Sequence, residues 1–127
     1  MEFNLKLGMK AKLEKTVEEK DTAKAFGSGA ALVFATPMMI GIMEGASMNT
    51  VKDYLPEGFS TVGTSVNIKH LSATPVGKRV WAEAELIEID RKRLVFNVVA
   101  FDEDKKIGEG THERFIIDEA KFMGNLK

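Results

Sequence analysis

Between Met9 and Glu18 the chain alternates: Met9, Ala11, Leu13 and Val17, with Lys15 in phase, against Lys10, Lys12, Glu14, Thr16 and Glu18. A period of two predicts a half-exposed strand. Glu19 to Ser28 is a polar connection with room for a short helix near Thr22–Phe26. Leu32-Val33-Phe34-Ala35 is a short apolar run, read as a short strand. Thr36 has the character of an N-cap and Pro37 that of a first helical residue, so one long helix is predicted from Pro37 to about Leu55, stopped by Pro56-Glu57-Gly58. The remainder reads as β-structure. Thr61–Leu71 sets Val62, Thr64, Val66 and Ile68 against Thr61, Gly63, Ser65 and Asn67. A turn at Thr74-Pro75-Val76-Gly77 leads into Lys78–Ile89, with Val80, Ala82, Ala84 and Leu86 on one face. Charged turns at Asp90–Arg93 and Asp102–Lys106 flank Leu94–Phe101, which is apolar on both faces as a central strand would be. Ile107–Ile117 is the last strand, and Asp118–Lys127 is a tail open to helix formation.

The order is strand, short strand, one long apolar helix, then a four-stranded meander. A long antiparallel sheet with a single helix buries both apolar surfaces by wrapping around it. The expected class is therefore α+β with the hot-dog fold, a curved antiparallel sheet around one central helix, as a single domain over residues 1–127. Such a sheet keeps an exposed edge, which predicts a homodimer joined edge to edge.

Composition narrows the function classes. The chain has 127 residues, 44% hydrophobic and 29% charged, enough to bury a core. Its formal charge of −1 offers nucleic acid no basic excess. The absence of cysteine removes disulfides, zinc–thiolate sites, iron–sulfur clusters and thiol nucleophiles, and two histidines argue against a multi-histidine metal site. The longest apolar stretch, Ala30 to Met43, is broken by Thr36-Pro37 and is too short to span a bilayer. The start, Met1-Glu2-Phe3-Asn4-Leu5-Lys6, lacks a signal-peptide core. These features predict a soluble, cytoplasmic protein without membrane partners. The lack of Cys and Gln beside abundant Lys and Glu leans toward a thermophilic source.

The helix carries the candidate chemistry. At 100° per residue, Ile40, Gly41, Glu44, Met48, Val51 and Leu55 share one stripe, with Glu44 as its charged member. A carboxylate there must be paired, hydrogen-bonded or protonated, or else reach the stripe's edge. Gly41 and Gly45 each cost about 1 kcal/mol against Ala, which predicts a close approach by sheet, backbone or ligand. His70 follows Val62, Thr64, Val66 and Ile68 on an inward strand face, so an inward Glu and an inward His stand on facing elements. A carboxylate–imidazole pair is a general acid–base unit. Thr36 either caps the helix or adds a hydroxyl where backbone N–H groups favour developing negative charge. His112 reads as structural, with Gly108 and Gly110 leaving space on its face. Lys78-Arg79 and Arg91-Lys92-Arg93 read mainly as solvated turn charges able to meet phosphates.

Ala35-Thr36-Pro37, Glu44 in the apolar helix, Val62-Gly63 in a strand ending Lys69-His70, Arg93-Leu94-Val95-Phe96 and Glu109-Gly110-Thr111-His112-Glu113-Arg114 together resemble the fluoroacetyl-CoA-thioesterase-like family of hot-dog proteins. The likeness runs from about Val33 to Ile117, and the order and spacing carry it: eight residues from Thr36 to Glu44, then twenty-six to His70. It implies a dimer that hydrolyses a short or small acyl-CoA thioester. Thr36, Glu44 and His70 would be catalytic, the Gly63 backbone amide would help hold the thioester carbonyl, and Arg114 would bind substrate. No metal or redox cofactor is implied, since CoA is part of the substrate. The fluoroacetyl-specific member has gating aromatics where this chain has Gly27-Ser28-Gly29-Ala30, which argues against fluoroacetate selectivity and leaves the acyl group open. A hot-dog acyl-thioester hydratase or dehydratase and a non-catalytic acyl-CoA-binding protein are the competing readings. A regular helix through both Thr36 and Glu44 would separate them by roughly 12 Å. Either the helix starts after Thr36, or the site is completed across a dimer.

Overall fold

The computed structural model describes residues 3–126; Met1, Glu2 and the last tail residue, Lys127, lie outside them. Five strands, β1 (Lys10–Thr16), β2 (Phe59–His70), β3 (Arg79–Asp90), β4 (Arg93–Asp102) and β5 (Lys106–Asp118), form one antiparallel sheet. The long helix α2 (Thr36–Val51) packs mainly on β1 and β3, while the shorter α1 (Ala23–Phe26) and α3 (Glu119–Gly124) lie outside that core. This is the expected hot-dog arrangement. Met39, Ile42, Met43 and Ala46 of α2 meet Ala82, Ala84, Leu86, Phe96 and Val98 of the sheet in a buried cluster.

The strand order is β1-β3-β4-β5-β2, so only β3, β4 and β5 form the predicted meander. β1 already occupies the free edge of β3, from Lys10↔Glu85 to Thr16↔Arg79. β2 therefore crosses to the far edge and pairs with β5. Leu32–Ala35 is not a strand either. Among the described residues only the isolated bridges Thr22↔Phe34 and Val33↔Pro75 form there, and Pro75 has no N–H with which to continue a ladder.

The helix begins at Thr36 rather than Pro37, with Ala35 as an N-cap that makes no side-chain cap bond. It ends at Val51, and Lys52–Tyr54 continue as a single 3-10 turn. The buried face holds Met39, Ile42, Met43, Ala46, Ser47, Thr50 and Val51. The stripe expected through Gly41, Glu44 and Met48 is instead the open side, with Gly41 and Met48 exposed and Glu44 half-buried. A helix apolar on nearly every side gives periodicity little to choose between faces. Gly45 does lie against Leu13 of β1, whereas Gly41 faces open space. The room beside Gly108 and Gly110 is filled by Met39 and by the β2 backbone at Asn67 and Ile68.

A bulge changes the facing of β2. The register with β5 shifts between Gly63 and Ser65, leaving Thr64 as the extra residue. Before the bulge, Thr61 and Gly63 pair with the buried Ile116 and Arg114, and Val62 pairs with the exposed Phe115. After it, Val66, Ile68 and His70 pair with His112, Gly110 and Gly108 on the α2 side. Val62 thus does not share the His70 face, as unbroken alternation had suggested.

Asp102, 2% exposed, closes the β4–β5 turn. It accepts from the Asp104 and Lys105 amides at 2.8 and 2.9 Å, and from Lys105 Nζ and Thr74 Oγ1, both at 2.7 Å. The Thr74 carbonyl in turn accepts from the Phe34 amide at 2.8 Å, tying the approach to α2 to the loop after His70. Burial pushes the Asp102 pKa up, but Lys105, Thr74 and the two amides outweigh it and hold the group at about 2. Because the folded pKa lies below the ordinary 3.8, this stabilisation is complete above that pH and is lost as pH falls toward about 2. Asp102→Asn is expected to lower stability at pH 7 by on the order of 2 kcal/mol in urea unfolding, with the gap from wild type closing near pH 2.

Candidate active site

Thr36 and His70 form one constellation. The first turn of α2 brings the Thr36 hydroxyl to His70, at the end of β2, with Oγ1 and Nδ1 2.7 Å apart. This bond explains why the hydroxyl does not cap its own helix. Nε2 of His70 is buried without a hydrogen-bond partner among the described residues. Burial holds the imidazole below its usual range, against a raising backbone contact at Ser72. A cavity of about 420 Å³ adjoins the pair, lined by Ala23, Ser28, Val33, Leu71 and Ala73 among others. The neighbouring Gly27–Ala30 segment contributes no aromatic ring to it.

Glu44 belongs to a second constellation. It lines a separate cavity of about 350 Å³ with Gly45, Met48, Thr61, Val62, Gly63 and Arg114. A Cβ built on Gly63 would lie 2.9 Å from Glu44 Oε2, 3.2 Å from His112 Cε1 and 3.4 Å from Arg114 Nη1. Glycine at 63 is therefore what lets carboxylate, imidazole and guanidinium converge. Arg114 is buried, and Thr61 holds it through Oγ1 to Nε at 2.7 Å and through its carbonyl to Nη2 at 2.8 Å. Burial lowers the Arg114 pKa, while the Glu44 charge opposes that shift. Gly63→Ala is expected to keep the fold, because the group that must move is the end of a flexible side chain. Displacing the Glu44 carboxylate should lower kcat/KM about 10²-fold in a thiol-release assay.

The expected residues thus fall into two groups. Thr36 sits with His70, and Glu44 sits with Gly63 and Arg114. The imidazole near Glu44 is that of His112, not of His70 as the facing-element argument had it. Since α2 is regular from Thr36 onward, Glu44 lies roughly 12 Å further along its axis. His112 and Thr61 were missed as site components, although the His112-x-Arg114 spacing places both on one strand face. Among the described residues no three His, Cys, Asp or Glu side chains gather as a metal ion would require, and no helix is long and apolar enough to cross a membrane.

The fluoroacetyl-CoA-specific thioesterase family model matches residues 17–120. The fluoroacetyl-CoA thioesterase of Streptantibioticus cattleyicolor is 40% identical over 95 residues, 75% of this chain and 68% of that protein. A crystal structure of the fluoroacetyl-CoA thioesterase superposes with a TM-score of 0.89 at 32% identity, covering 95% of this chain and 94% of that one. A variant of that enzyme in complex with fluoroacetate and CoA gives 0.88 at 34% identity, covering 93% and 99%. A thioesterase superfamily member from Thermus thermophilus gives 0.87 at 29% identity, covering 94% and 88%.

Proposed function

The chain belongs to the fluoroacetyl-CoA-specific thioesterase family, and from that premise we propose that it hydrolyses a short or small acyl-CoA thioester to the free acid and CoA at a site shared by two copies of the chain. The observation that carries this reading is the separation of Thr36–His70 from Glu44–Gly63–Arg114 within one chain. Each group is half of what thioester hydrolysis needs.

The exposed edge of β2 supplies the means of joining them. Gly63 and His70 stand seven residues apart on it, roughly 23 Å of extended strand. Antiparallel pairing of two β2 edges about a two-fold axis near Val66–Asn67 sets Gly63 of one copy opposite His70 of the other. Residues Gly63 to Asn67 of this strand are exposed and carry no charged side chain, unlike a strand edge guarded against pairing; in the bulge the Thr64 hydroxyl donates to the Glu113 carbonyl.

In the shared site the Glu44 carboxylate delivers the attack on the thioester carbonyl, with its own oxygen or that of a water it positions. The Gly63 backbone amide stabilises the negative charge that develops on the carbonyl oxygen, and the Arg114 guanidinium binds the acyl-CoA. His70 carries a proton to the leaving sulfur through Nε2, and Thr36 orients its ring through Nδ1. This chemistry uses no metal or redox cofactor. The small residues at Gly27–Ala30 leave the acyl end open, which supports acyl groups other than fluoroacetyl.

A free-thiol assay over a panel of acyl-CoAs tests the reading. Thiol release with a preferred short acyl group is the expected result. Water addition to an enoyl-CoA without thiol release would replace it with a hydratase, and ligand-induced stabilisation without turnover would replace it with a binding protein.

A further inference from the structure

His112 is fully buried, titratable and unused by the chemistry above, and its contacts fix its state. Nδ1 lies 2.8 Å from the Ser65 carbonyl, which can only accept. Nε2 lies 3.2 Å from Arg114 Nη1, which can only donate. Both contacts hold together in one form alone, the neutral imidazole with its hydrogen on Nδ1. Phe96 of β4 lies beside the ring, with centroids 6.5 Å apart.

The consequence falls on Arg114. Three of its five N–H groups are taken, by Thr61 Oγ1, the Thr61 carbonyl and His112 Nε2. One N–H on each terminal nitrogen is left for the cavity that Arg114 lines with Glu44 and Gly63. Thr61 bonds the Nε and Nη2 side of the guanidinium, and among the described residues the Nη1 side has only His112. We propose that His112 is a positioning residue, a neutral acceptor that locks the Arg114 plane so that its free N–H groups meet the acyl-CoA. Burial lowers the His112 pKa, with the Arg114 charge adding to the effect and the Ser65 carbonyl and Glu44 opposing it, in keeping with the neutral form.

The inference rests on the thioesterase reading for the role of Arg114, so the test reads two things separately. The first is the ring state: nitrogen-15 NMR of the histidine side chains should show His112 as the Nδ1–H tautomer at pH 7, and an Nε2–H or doubly protonated ring would overturn the inference whatever the enzyme does. The second is kinetic. His112→Phe keeps the ring volume without an acceptor, and it should raise KM for a good acyl-CoA about tenfold while kcat changes less than about twofold. His112→Gln, which restores an acceptor oxygen, should recover part of that loss. In an Arg114→Met background, His112→Phe should add nothing further, because the group it orients is gone. A full additional tenfold loss in the double variant, or an unchanged KM in a folded His112→Phe, would reduce His112 to core packing. If wild type binds acyl-CoA without releasing thiol, the thioesterase reading falls alone, and the same comparison is made on dissociation constants for an acyl-CoA.

Discussion

Glu44→Gln and His70→Ala chains, each inactive alone, are expected to recover about a quarter of wild-type turnover once mixed in equal amounts and allowed to exchange subunits. In a mixed dimer, one site combines Glu44 from the His70→Ala chain with Thr36 and His70 from the Glu44→Gln chain and is intact. The other site carries both lesions. Random exchange makes half of the dimers mixed, and each has one working site of two. The Glu44→Gln homodimer itself should lose about 10³-fold in turnover. It should fold normally, since Arg114 keeps Thr61 and His112 as partners and the amide is nearly isosteric. Thiol release during exchange, with sedimentation to confirm the mixed dimer, gives the answer. Exchange without recovery would place the whole site in a single chain, and undiminished turnover by Glu44→Gln would make the carboxylate structural.

The second large effect belongs to His70. His70→Ala should remove about 10²- to 10⁴-fold of kcat/KM. Wild-type kcat/KM should fall on the basic side with a midpoint below the ordinary imidazole value of 6.5, because only the protonated ring can give a proton to the leaving sulfur and burial lowers its pKa. That limb should be missing from the residual activity of His70→Ala. An unchanged pH profile in that variant would return His70 to the core. The same downward shift bears on folding. Below pH 6.5 the unfolded chain takes the proton first, so the contribution of His70 to stability is present above that pH and declines beneath it. Thr36→Val should cost only about tenfold, as it frees the ring without removing it. A loss equal to that of His70→Ala would make the hydroxyl the nucleophile.

Much of the fold could be read from the pattern. Alternation in β1 and β3, the doubly apolar β4 and the Thr36-Pro37 helix start are local signals, and each element formed within a few residues of its predicted place. What escaped depends on partners distant in sequence. Whether β3 pairs with β1 or β2 is decided by which strand reaches its edge, and the alternating residues of β1 and β2 look alike in that respect. The face of α2 was misread because Ile40, Gly41 and Met48 are as apolar as the residues that enter the core. The catalytic candidates were found by resemblance and by odd placement, a charge in an apolar helix above all. Their grouping was not legible, since Thr36 pairs with a residue thirty-four positions away and Arg114 with one fifty-three away.

The bulge at Thr64 makes strand length a chemical quantity. Seven is an odd number, and in an uninterrupted strand Gly63 and His70 would look in opposite directions. The inserted residue converts odd into even, so one strand can turn Gly63 and the His70 imidazole to the same side. Removing Thr64 would alter no reacting group, yet it would turn one half of the strand over relative to the other. A deletion there should be more damaging than any single replacement of Thr64, whereas insertions at the open turn beyond Asp90 would leave the parity of the strand untouched.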